Sequence, residues 1–423
     1  MELITKAPRG TKDILPSDSY KWQYTERTLA EVSQSFGFFQ VRFPTFEHSE
    51  LYNRGIGEAT DVIQKEMYSF EDKGGRSITL RPEGTAGVVR LMLENGLYGG
   101  AMPLKLYYIT SCFRYEKPQA GRYREFNQYG IEVFGANSTV CDVEVISIGH
   151  AIFKRFGLDD ITLNINSIGC KECRGLYFNA LKDYFNKYKS DLCVSCVERL
   201  EKNPMRILDC KSPVCGNISA KAPLVLDYIC KKCSDDFISV KSMLDSMEID
   251  YIVNPKIVRG LDYYNGIVFE FISNSIGSQG AVCAGGRYDG LAMKLGGENV
   301  SGIGFALGIE RLIMMLENQG KFNNITNTPT QIYIAGMGEN AAVYSLVFAN
   351  KLREKGIDAL CDIMGKSLKA QMKYADKIGA AYTMVVGDDE IKTGNAKLKN
   401  MQTGESVEVC IKNIEEIINI ING

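Results

Sequence analysis

The chain has 423 residues, of which 45% are hydrophobic, and a formal net charge of −2. A chain of this length can form two or three domains, each with its own hydrophobic core. The near-neutral charge excludes a uniformly basic, histone-like nucleic-acid-binding protein, although a local basic stripe is compatible with it.

The apolar segments predict a protein outside the membrane. The first residues lack the long apolar run of a signal peptide, and no apolar stretch approaches the roughly 18 to 20 residues that a membrane-spanning helix needs. Thirteen cysteines without an export signal indicate reduced thiols or metal ligands, not disulfides. We therefore expect a soluble, cytoplasmic protein.

Residues 1–168 alternate helical and extended patterns. Residues 19–38 carry apolar side chains at helical spacing and reach a helix stop at Gly37. Residues 39–52 have an extended pattern, in which Pro44 suits a sheet edge or an interface. Two strand-like segments, 105–116 and 124–135, flank a short Pro-Gln-Ala-Gly tip and predict an antiparallel hairpin.

The remaining chain divides into segments that differ in cysteine content and in secondary-structure pattern. Residues 169–250 contain eight of the thirteen cysteines and have a mainly helical pattern, whereas residues 251–320 return to the pattern of the first segment. This predicts one discontinuous domain, 1–168 and 251–320, interrupted by a helical insertion. After a polar linker, 321–329, residues 330–423 predict a small parallel α/β domain with a βαβαβ order, namely strand 331–337, helix 339–354, strand 358–363, helix 366–378 and strand 382–387.

The predicted hairpin concentrates charge near its tip. Arg114, Arg122 and Arg124 lie close in sequence to Glu116, which could orient a guanidinium group. Arginine binds phosphate or carboxylate through a planar fork and stays charged. Phe126 follows the tip, and its ring could stack on a nucleobase. Ordinary cross-strand ion pairs on a surface hairpin explain the same pattern equally well.

Two further segments are compatible with a ligand site. In "GIGFALGIERL", small residues precede Arg311 and would allow a close approach to a bound anion at a strand-to-helix joint. In "RGLDYYNGIVFEF", Arg259, Tyr263 and Tyr264 lie in a loop before an apolar strand and suggest a polar pocket. Glycine-rich joints and half-buried tyrosines beside a core strand are the alternative explanations.

Glu83 and Thr85 occupy a proline-led turn before a helix in "TLRPEGTAGVVRL". Exposed polar groups there could bind a cationic amine. Capping of the helix N-terminus is an equally ordinary role for these residue types.

Together these motifs resemble the class II aminoacyl-tRNA synthetases. The peptide "FRYEKPQAGRYREFNQ" is similar to motif 2 of that class, "GFALGIERL" to motif 3 and "FQVRFPTFE" to the looser motif 1. The peptides "RGLDYYNGIVFEF" and "AGGRYDGL" resemble the signatures of the histidine–tRNA ligase family, and "PRGTKDILP" resembles its opening. The resemblance covers essentially the whole chain. It implies an α+β fold in which a six-stranded antiparallel catalytic sheet carries a helical insertion and precedes a C-terminal α/β anticodon-binding domain.

The resemblance also implies an activity, the ATP-dependent ligation of L-histidine to its tRNA through a histidyl-adenylate, with release of AMP and pyrophosphate. It assigns Arg259 and Arg114 to catalysis. It assigns ATP binding to Arg114, Glu116, Arg122, Phe126 and Arg311. It assigns histidine binding to Glu83, Thr85, Arg114, Gln128, Glu132, Arg259, Tyr263 and Tyr264. Mg²⁺ accompanies ATP in this chemistry, and motif 1 implies a homodimer.

Four lysines in the last domain favour an RNA partner. Lys366, Lys369, Lys373 and Lys377 are spaced for one helix face and could follow the phosphates of the histidine tRNA. A solvated lysine face is the alternative.

The insertion has a cysteine pattern that the resemblance does not require. Four pairs, Cys170/Cys173, Cys193/Cys196, Cys210/Cys215 and Cys230/Cys233, lie within 64 residues. Such knuckles are typical of structural zinc sites, so we expect at least one zinc ion here. Reduced cysteines without metal are the alternative.

Two other functions are compatible with parts of this pattern. One is the non-catalytic, synthetase-like regulatory subunit of ATP phosphoribosyltransferase, a binding protein that typically lacks the C-terminal domain and the ligating arginines. The other is a class II synthetase for a different amino acid. The presence of the C-terminal domain, the arginines and the two signature peptides favours a histidine–tRNA ligase.

Overall fold

The computed structural model describes residues 5–57, 60, 62–257, 259–273, 275, 280–323, 325 and 330–423. The chain divides into two compact units, residues 1–325 and 326–423. Among the described residues, no helix is both long and apolar enough to cross a membrane.

The first unit combines a large sheet of mostly long strands, a small separate sheet and several α-helices. Its strands are Phe39–Gln40 (β1), Phe46–His48 (β2), Tyr68–Glu71 (β3), Ser77–Leu80 (β4), Leu104–Phe113 (β5), Glu125–Phe134 (β6), Ile161–Ser167 (β7), Tyr251–Val253 (β8), Asn265–Ser273 (β9), Ala281–Arg287 (β10) and Gly302–Gly308 (β11). Its α-helices are Pro16–Ser35 (α1), Ser49–Ile56 (α2), Thr85–Glu94 (α3), Thr139–Arg155 (α4), Lys171–Asn186 (α5), Val194–Lys202 (α6), Pro213–Ser219 (α7), Lys231–Ser246 (α8), Leu291–Lys294 (α9) and Ile309–Asn318 (α10).

Within the described part of this unit, eight strands form one sheet in the order β1-β5-β6-β11-β10-β9-β7-β8. The six strands from β5 to β7 in this order are antiparallel to their neighbours, and β1 and β8 add parallel edges. The predicted α+β fold with a six-stranded antiparallel sheet is therefore confirmed. Strands β2, β4 and β3 form a separate small antiparallel sheet.

One face of the large sheet forms the main hydrophobic core. Side chains of alternate residues, such as Tyr129, Ile131 and Phe305, pack there against apolar residues of α1, α4, α8 and α10. Burial of these side chains drives the sheet and helices together. Helix α8, which the sequence analysis placed within the insertion, contributes Phe237 and Leu244 to this core.

The opposite face of the sheet carries small residues. Pairing between adjacent strands places Gly130, Ala306, Ala284 and Glu270 in one row. In the next row, a side chain at Gly304 would collide with the Glu132 carboxylate. Because Gly130, Ala306, Ala284 and Gly304 have small side chains or none, polar side chains and a ligand can approach the backbone of this face closely.

The insertion forms a second hydrophobic core together with a few residues of the sheet domain, among them Val268 of β9. Helices α5 and α6 and the short helical turns Pro204–Ile207 and Val225–Tyr228 supply most of its buried side chains, including Tyr177, Leu181 and Leu200. The mainly helical pattern predicted for this segment agrees with these elements.

One sequence prediction is wrong at its end. Residues 49–52 do not continue the extended segment but begin α2. Tyr52 and Ile56, four residues apart, are both buried on one side of this helix, so burial at helical spacing outweighs the extended pattern.

The second unit is an α/β domain. Its elements are Ile332–Gly336 (β12), Glu339–Glu354 (α11), Ala359–Cys361 (β13), Leu368–Lys377 (α12), Tyr382–Val386 (β14), Asp388–Thr393 (α13), Asn395–Asn400 (β15), Ser406–Cys410 (β16) and Ile414–Asn422 (α14). Strands β13, β12 and β14 are parallel, as the βαβαβ order predicts, and β15 and β16 extend the sheet with antiparallel pairs. Its core is separate from that of the first unit.

Candidate active site

A cavity of about 210 Å³ opens over the small-residue face of the large sheet. The polar or aromatic residues that line it include Arg114, Glu116, Arg122, Phe126 and Arg311. These are the residues that the sequence analysis assigned to ATP binding, and the structure brings all of them together. We call this cavity the arginine cavity.

The strands explain this convergence. Arg114 follows β5 and Arg122 precedes β6, so both lie in the segment that joins the two strands at the tip of the hairpin. Gly308 at the end of β11 pairs with Gln128 of β6, which places Arg311, in the first turn of α10, against the same hairpin. Arg311 Nε donates to the Gly121 carbonyl at 3.1 Å and Nη1 to the Ala281 carbonyl at 2.6 Å.

Glu116 lies between two of the arginines. Its Oε2 is 3.1 Å from Arg122 Nη1, and its Oε1 is 3.9 Å from Arg114 Nη1. Arg114 Nε also donates to the Pro82 carbonyl at 2.8 Å, and its guanidinium lies 5.4 Å from the centre of the Phe126 ring. A guanidinium has five N–H donors, so these contacts orient both side chains and leave capacity for an anionic ligand.

The cavity has an excess of positive charge. Burial lowers the pKa of Arg311, and repulsion from Arg122 and Arg114 lowers it further, while Glu116 acts in the opposite direction. A bound polyanion would relieve this repulsion, so the electrostatics favour a phosphate-bearing ligand.

A second group of polar residues surrounds Glu132, in the middle of β6. Thr85 Oγ1 donates to Glu132 Oε1 at 2.7 Å, and the Tyr288 hydroxyl donates to Oε2. Burial raises the pKa of Glu132 to about 8, although these two hydrogen bonds act against the rise. We call Glu132 and its neighbours Glu83, Thr85, Tyr108, Gln128, Tyr263 and Tyr288 the Glu132 cluster.

Glu83 caps the start of α3. Its carboxylate accepts hydrogen bonds from the backbone N–H groups of Thr85 and Ala86, both at 2.8 Å, and the Tyr263 hydroxyl lies 3.5 Å away. Burial raises the pKa of this carboxyl group. The capping role that the sequence allowed is therefore present, and it places the buried carboxylate of Glu83 within the Glu132 cluster.

Gln128 connects the two groups. It lines the arginine cavity, and its Oε1 accepts hydrogen bonds from the Gly84 N–H at 3.0 Å and from the Tyr108 hydroxyl at 3.2 Å. Gly84 and Gly130 leave space for the Tyr108 ring, because a Cβ atom at either position would overlap it.

Arg259 lies further across the same sheet face. It forms a partly buried ion pair with Glu270 of β9. Glu270 lies two strands, or about 10 Å, from Ala306, which lines the arginine cavity. The Nε of Arg259 has no hydrogen-bond partner among the described residues. Tyr263 and Tyr264 lie four and five residues further along the chain, and the centres of their rings are 4.7 Å apart. A buried donor without a partner is costly unless a ligand supplies an acceptor.

Three residues of this site were missed by the sequence analysis, namely Tyr108, Glu270 and Tyr288. Tyr288 belongs to the quoted peptide "AGGRYDGL", and Glu270 alternates with buried aromatic residues in "GIVFEF", so both signals were present. Tyr108 has the pattern of a core strand residue, and only its pairing with Gly130 reveals its position.

The four lysines assigned to RNA binding are exposed. Lys369, Lys373 and Lys377 lie on α12, but the prediction that the helix begins at 366 is wrong. The Lys366 N–H donates to Asp362 Oδ2 at 2.6 Å in the preceding turn, which delays the helix to Leu368. The Lys366 ammonium still lies 5.9 Å from the Tyr374 ring of α12.

The cysteines of the insertion gather into two groups within the described chain. Cys170, Cys173, Cys230 and Cys233 form one, and a second consists of Cys193, Cys196, Cys210 and Cys215. Within each group, the four sulfur atoms lie within 4.8 Å of one another.

Known proteins share this architecture over nearly the whole chain. A family model described as histidyl-tRNA synthetase matches residues 10–172 and 218–312, and a model described as anticodon binding domain matches 331–420. A protein of Acetivibrio thermocellus named histidine–tRNA ligase is 52% identical over 410 residues, which cover 97% of this chain and 98% of that protein. A protein of the same name from Caldanaerobacter subterraneus is 50% identical over 416 residues, covering 98% and 100%. The crystal structure of apo S. aureus histidyl-tRNA synthetase, 39% identical, matches with a TM-score of 0.84 over 98% of this chain and 99% of that one. The chain therefore belongs to the histidyl-tRNA synthetase family.

Proposed function

We propose that the protein catalyses the ATP-dependent ligation of L-histidine to its tRNA through a histidyl-adenylate, with release of AMP and pyrophosphate. The observation that carries this proposal is the arginine cavity beside the buried Glu132 cluster on one sheet face. Family membership supports the same activity.

In the first step, a carboxylate oxygen of histidine attacks the α-phosphorus of ATP, and the bond to pyrophosphate breaks. Arg114 binds the α-phosphate, and Arg122 and Arg311 bind the outer phosphates. Positioning and charge stabilisation dominate such a reaction, so the protein needs no covalent nucleophile. Phe126 stacks on adenine, and Glu116 orients the arginines on that side of the site.

Arg259 acts where the two substrates meet. Its unpartnered Nε supports a role in binding the reacting carboxylate and the α-phosphate. Glu83, Thr85, Gln128 and Arg114 bind the amino and carboxylate groups of histidine.

The imidazole of histidine binds beside Glu132, with Tyr263 and Tyr264. A carboxyl group with a pKa of about 8 can act as a proton donor or acceptor near neutral pH. This suits a ring with one donor and one acceptor nitrogen, and an amino acid without those nitrogens would leave buried groups unpaired.

Mg²⁺ enters with ATP in this proposal. The carboxylates of Glu116 and Glu310 line the arginine cavity and would supply oxygen ligands of the kind that this ion prefers. When bound, the ion would neutralise phosphate charge and hold the phosphate chain.

In the second step, the histidyl group passes from the adenylate to a hydroxyl of the terminal ribose of tRNA, and AMP leaves. The C-terminal domain, 330–423, binds the anticodon region, with the exposed Lys366, Lys369, Lys373 and Lys377 following RNA phosphates. Residues 1–168 and 251–320 form the catalytic domain, 169–250 the insertion and 321–329 the linker.

The working enzyme in this proposal is a cytoplasmic homodimer, and its insertion holds at least one structural zinc ion. Phe39, Phe46 and Phe70, in the short strands β1, β2 and β3, are 73%, 57% and 50% exposed. Exposed aromatic side chains support an interface with a second copy of the chain.

ATP–pyrophosphate exchange with each amino acid in turn tests the activity. Histidine alone should support exchange, and histidine tRNA should then be charged. Exchange with a different amino acid would identify another synthetase, and the absence of exchange with any amino acid would favour the regulatory-subunit alternative.

A further inference from the structure

The two cysteine groups are the part of the molecule that the proposed reaction does not use. The structure pairs the knuckles in a nested order. The first knuckle, Cys170/Cys173, meets the last, Cys230/Cys233, and the two middle pairs meet each other. Cys170, Cys173, Cys230 and Cys233 lie where the insertion joins the sheet domain, and we call them the inner group. Cys193, Cys196, Cys210 and Cys215 lie in the middle of the insertion's sequence, and we call them the outer group.

The sulfur geometry fits one tetrahedral ion in each group. In the inner group, Cys170 Sγ is 3.4 Å from Cys173 Sγ, and Cys173 Sγ is 4.0 Å from Cys233 Sγ. In the outer group, Cys193 Sγ is 3.8 Å from Cys210 Sγ. Four thiolates at the Zn–S distance of about 2.3 Å in a tetrahedron are separated by about 3.8 Å. All thirteen cysteines are free thiols in the described chain, so no disulfide accounts for these distances.

The knuckles also have the backbone setting that thiolate ligands need. Cys170, Cys193 and Cys230 are the N-cap residues of α5, α6 and α8, and the second cysteine of each pair lies in the first turn. A helix N-terminus stabilises negative charge. Backbone N–H groups point at sulfur, as in Cys230 N to Cys173 Sγ at 3.0 Å and Cys193 N to Cys215 Sγ at 3.3 Å.

Ordinary packing does not explain these cysteines. A cysteine that serves as a small hydrophobic residue is usually buried. Here Cys230 is exposed, and Cys170, Cys193 and Cys210 are only half-buried, while their partners are buried. Each group thus lies at the boundary between the insertion's core and solvent.

Residues close in sequence to both groups donate hydrogen bonds to one loop of the catalytic domain. We call residues 259–264 the histidine loop, since the proposed function assigns histidine binding to three of them, Arg259, Tyr263 and Tyr264. One turn after Cys170, Arg174 Nη1 donates to the Tyr264 carbonyl at 2.8 Å. Between the knuckles of the outer group, Asn203 Nδ2 donates to Asp262 Oδ1 at 2.9 Å, and Arg206 donates to the Gly260 carbonyl.

We propose that the inner and outer groups each bind one zinc ion through four thiolates, and that these two ions fix the histidine loop against the insertion. The inner ion joins the N-termini of α5 and α8, where the chain enters the insertion and returns from it. The outer ion fixes the segment that carries Asn203 and Arg206. The role at the loop rests on the proposed function, whereas the metal sites do not.

Metal analysis of the intact protein, purified without chelators from zinc-containing medium, tests the sites. We expect two zinc ions per chain. We also expect both to be released as the eight thiols are titrated with an organomercurial in the presence of a zinc indicator. One equivalent or less in folded wild-type protein, disulfides in the insertion, or iron in place of zinc would overturn the proposal.

Matched variants assign the ligands. Cys230→Ser and Cys210→Ser, both at the less buried positions, should each retain one zinc ion. Cys410→Ser, a half-buried cysteine of the second unit, should retain two. Retention of two ions by either of the first two variants would contradict the assignment. The wild-type titration decides the question if a variant does not fold.

The coupling to the loop has a separate readout. Arg174→Ala should keep both zinc ions and raise KM for histidine by about tenfold in the exchange assay, with KM for ATP changed less than about twofold. Cys230→Ser should cause the same selective rise. Glu172→Ala, an exposed neighbour on the same turn, is the control and should behave as wild type. An unchanged KM for histidine in both Arg174→Ala and Cys230→Ser would overturn the positioning role. If wild type does not activate histidine, the proposed function fails while the zinc count still stands.

Discussion

Substitution of Glu132 by glutamine tests the electrostatics of the site most directly. Glutamine has the same shape, can accept from Thr85 and cannot ionise. Burial raises the pKa of Glu132 from 4.5 to about 8 in the folded protein. A carboxyl group with a raised folded pKa stabilises the folded state fully below the unfolded value, and this contribution is lost as the pH rises through the folded value.

The size of the effect follows from the two pKa values. Between pH 4.5 and 8 the unfolded carboxyl group is ionised while the folded one keeps its proton, so the free energy of unfolding falls with pH. The full difference corresponds to about 5 kcal/mol, of which about 3 kcal/mol falls between pH 6 and 9. Glu132→Gln lacks this term, so its stability relative to wild type should rise by that amount between pH 6 and 9.

Urea unfolding of both proteins at pH 6 and pH 9 measures this difference. The fluorescence of Trp22 in α1, the single tryptophan of the chain, reports on the unit that contains Glu132. Glu71→Gln removes an exposed carboxylate on β3 and is the control for the loss of one negative charge, so its stability should stay close to that of wild type. Histidine-dependent exchange by Glu132→Gln should meanwhile fall by at least about a hundredfold in kcat/KM. Equal stability differences at the two pH values would refute the conclusion that the buried carboxyl group is protonated.

Three other substitutions separate the steps of the reaction. Arg259→Ala should lower kcat for exchange by about a hundredfold or more and raise KM for histidine far less, because its charge partner forms in the transition state. Phe126→Ala should raise KM for ATP by about tenfold through loss of ring stacking. Phe126→Tyr keeps an aromatic ring and should have the KM of wild type. Lys369→Glu combined with Lys373→Glu should raise KM for tRNA by about tenfold and flatten its salt dependence, with exchange unchanged.

Each of these has a contradicting result. Equal losses in kcat and histidine binding would remove Arg259 from the transition state. An unaltered KM for ATP in Phe126→Ala would place adenine elsewhere. A loss of exchange in the lysine variant would indicate damage to the fold and not to an RNA surface.

Local sequence predicted the hairpin well, because two apolar, strand-like segments, the later β5 and β6, flank a short charged tip. Local sequence predicted only part of the arginine cavity. Arg114 and Arg122 are neighbours in sequence, but Arg311 lies almost 190 residues away, and only the family resemblance connected it to them.

The sequence did not reveal the register of the sheet, that is, which residues of neighbouring strands lie side by side. Tyr108 follows the pattern of a buried strand, and its role depends on Gly130 on the adjacent strand, which leaves room for the ring. In the same way, four cysteine pairs were evident, but their nested pairing depends on how α5 and α8 meet. Helix α8 was assigned to the insertion for its cysteines, although Phe237 and Leu244 pack in the main core.

The order of strands in the large sheet has a consequence for synthesis of the protein. Strand β6 ends at Phe134, and its neighbour β11 begins at Gly302, about 170 residues later. At about 5–20 residues per second, a ribosome needs about 10–30 s to produce the intervening chain. Throughout that interval the nascent β6 edge lacks its native neighbour, a condition under which strand edges associate with other chains. The insertion therefore delays completion of the central sheet during translation, and newly made chains should depend on chaperones more than the finished enzyme does.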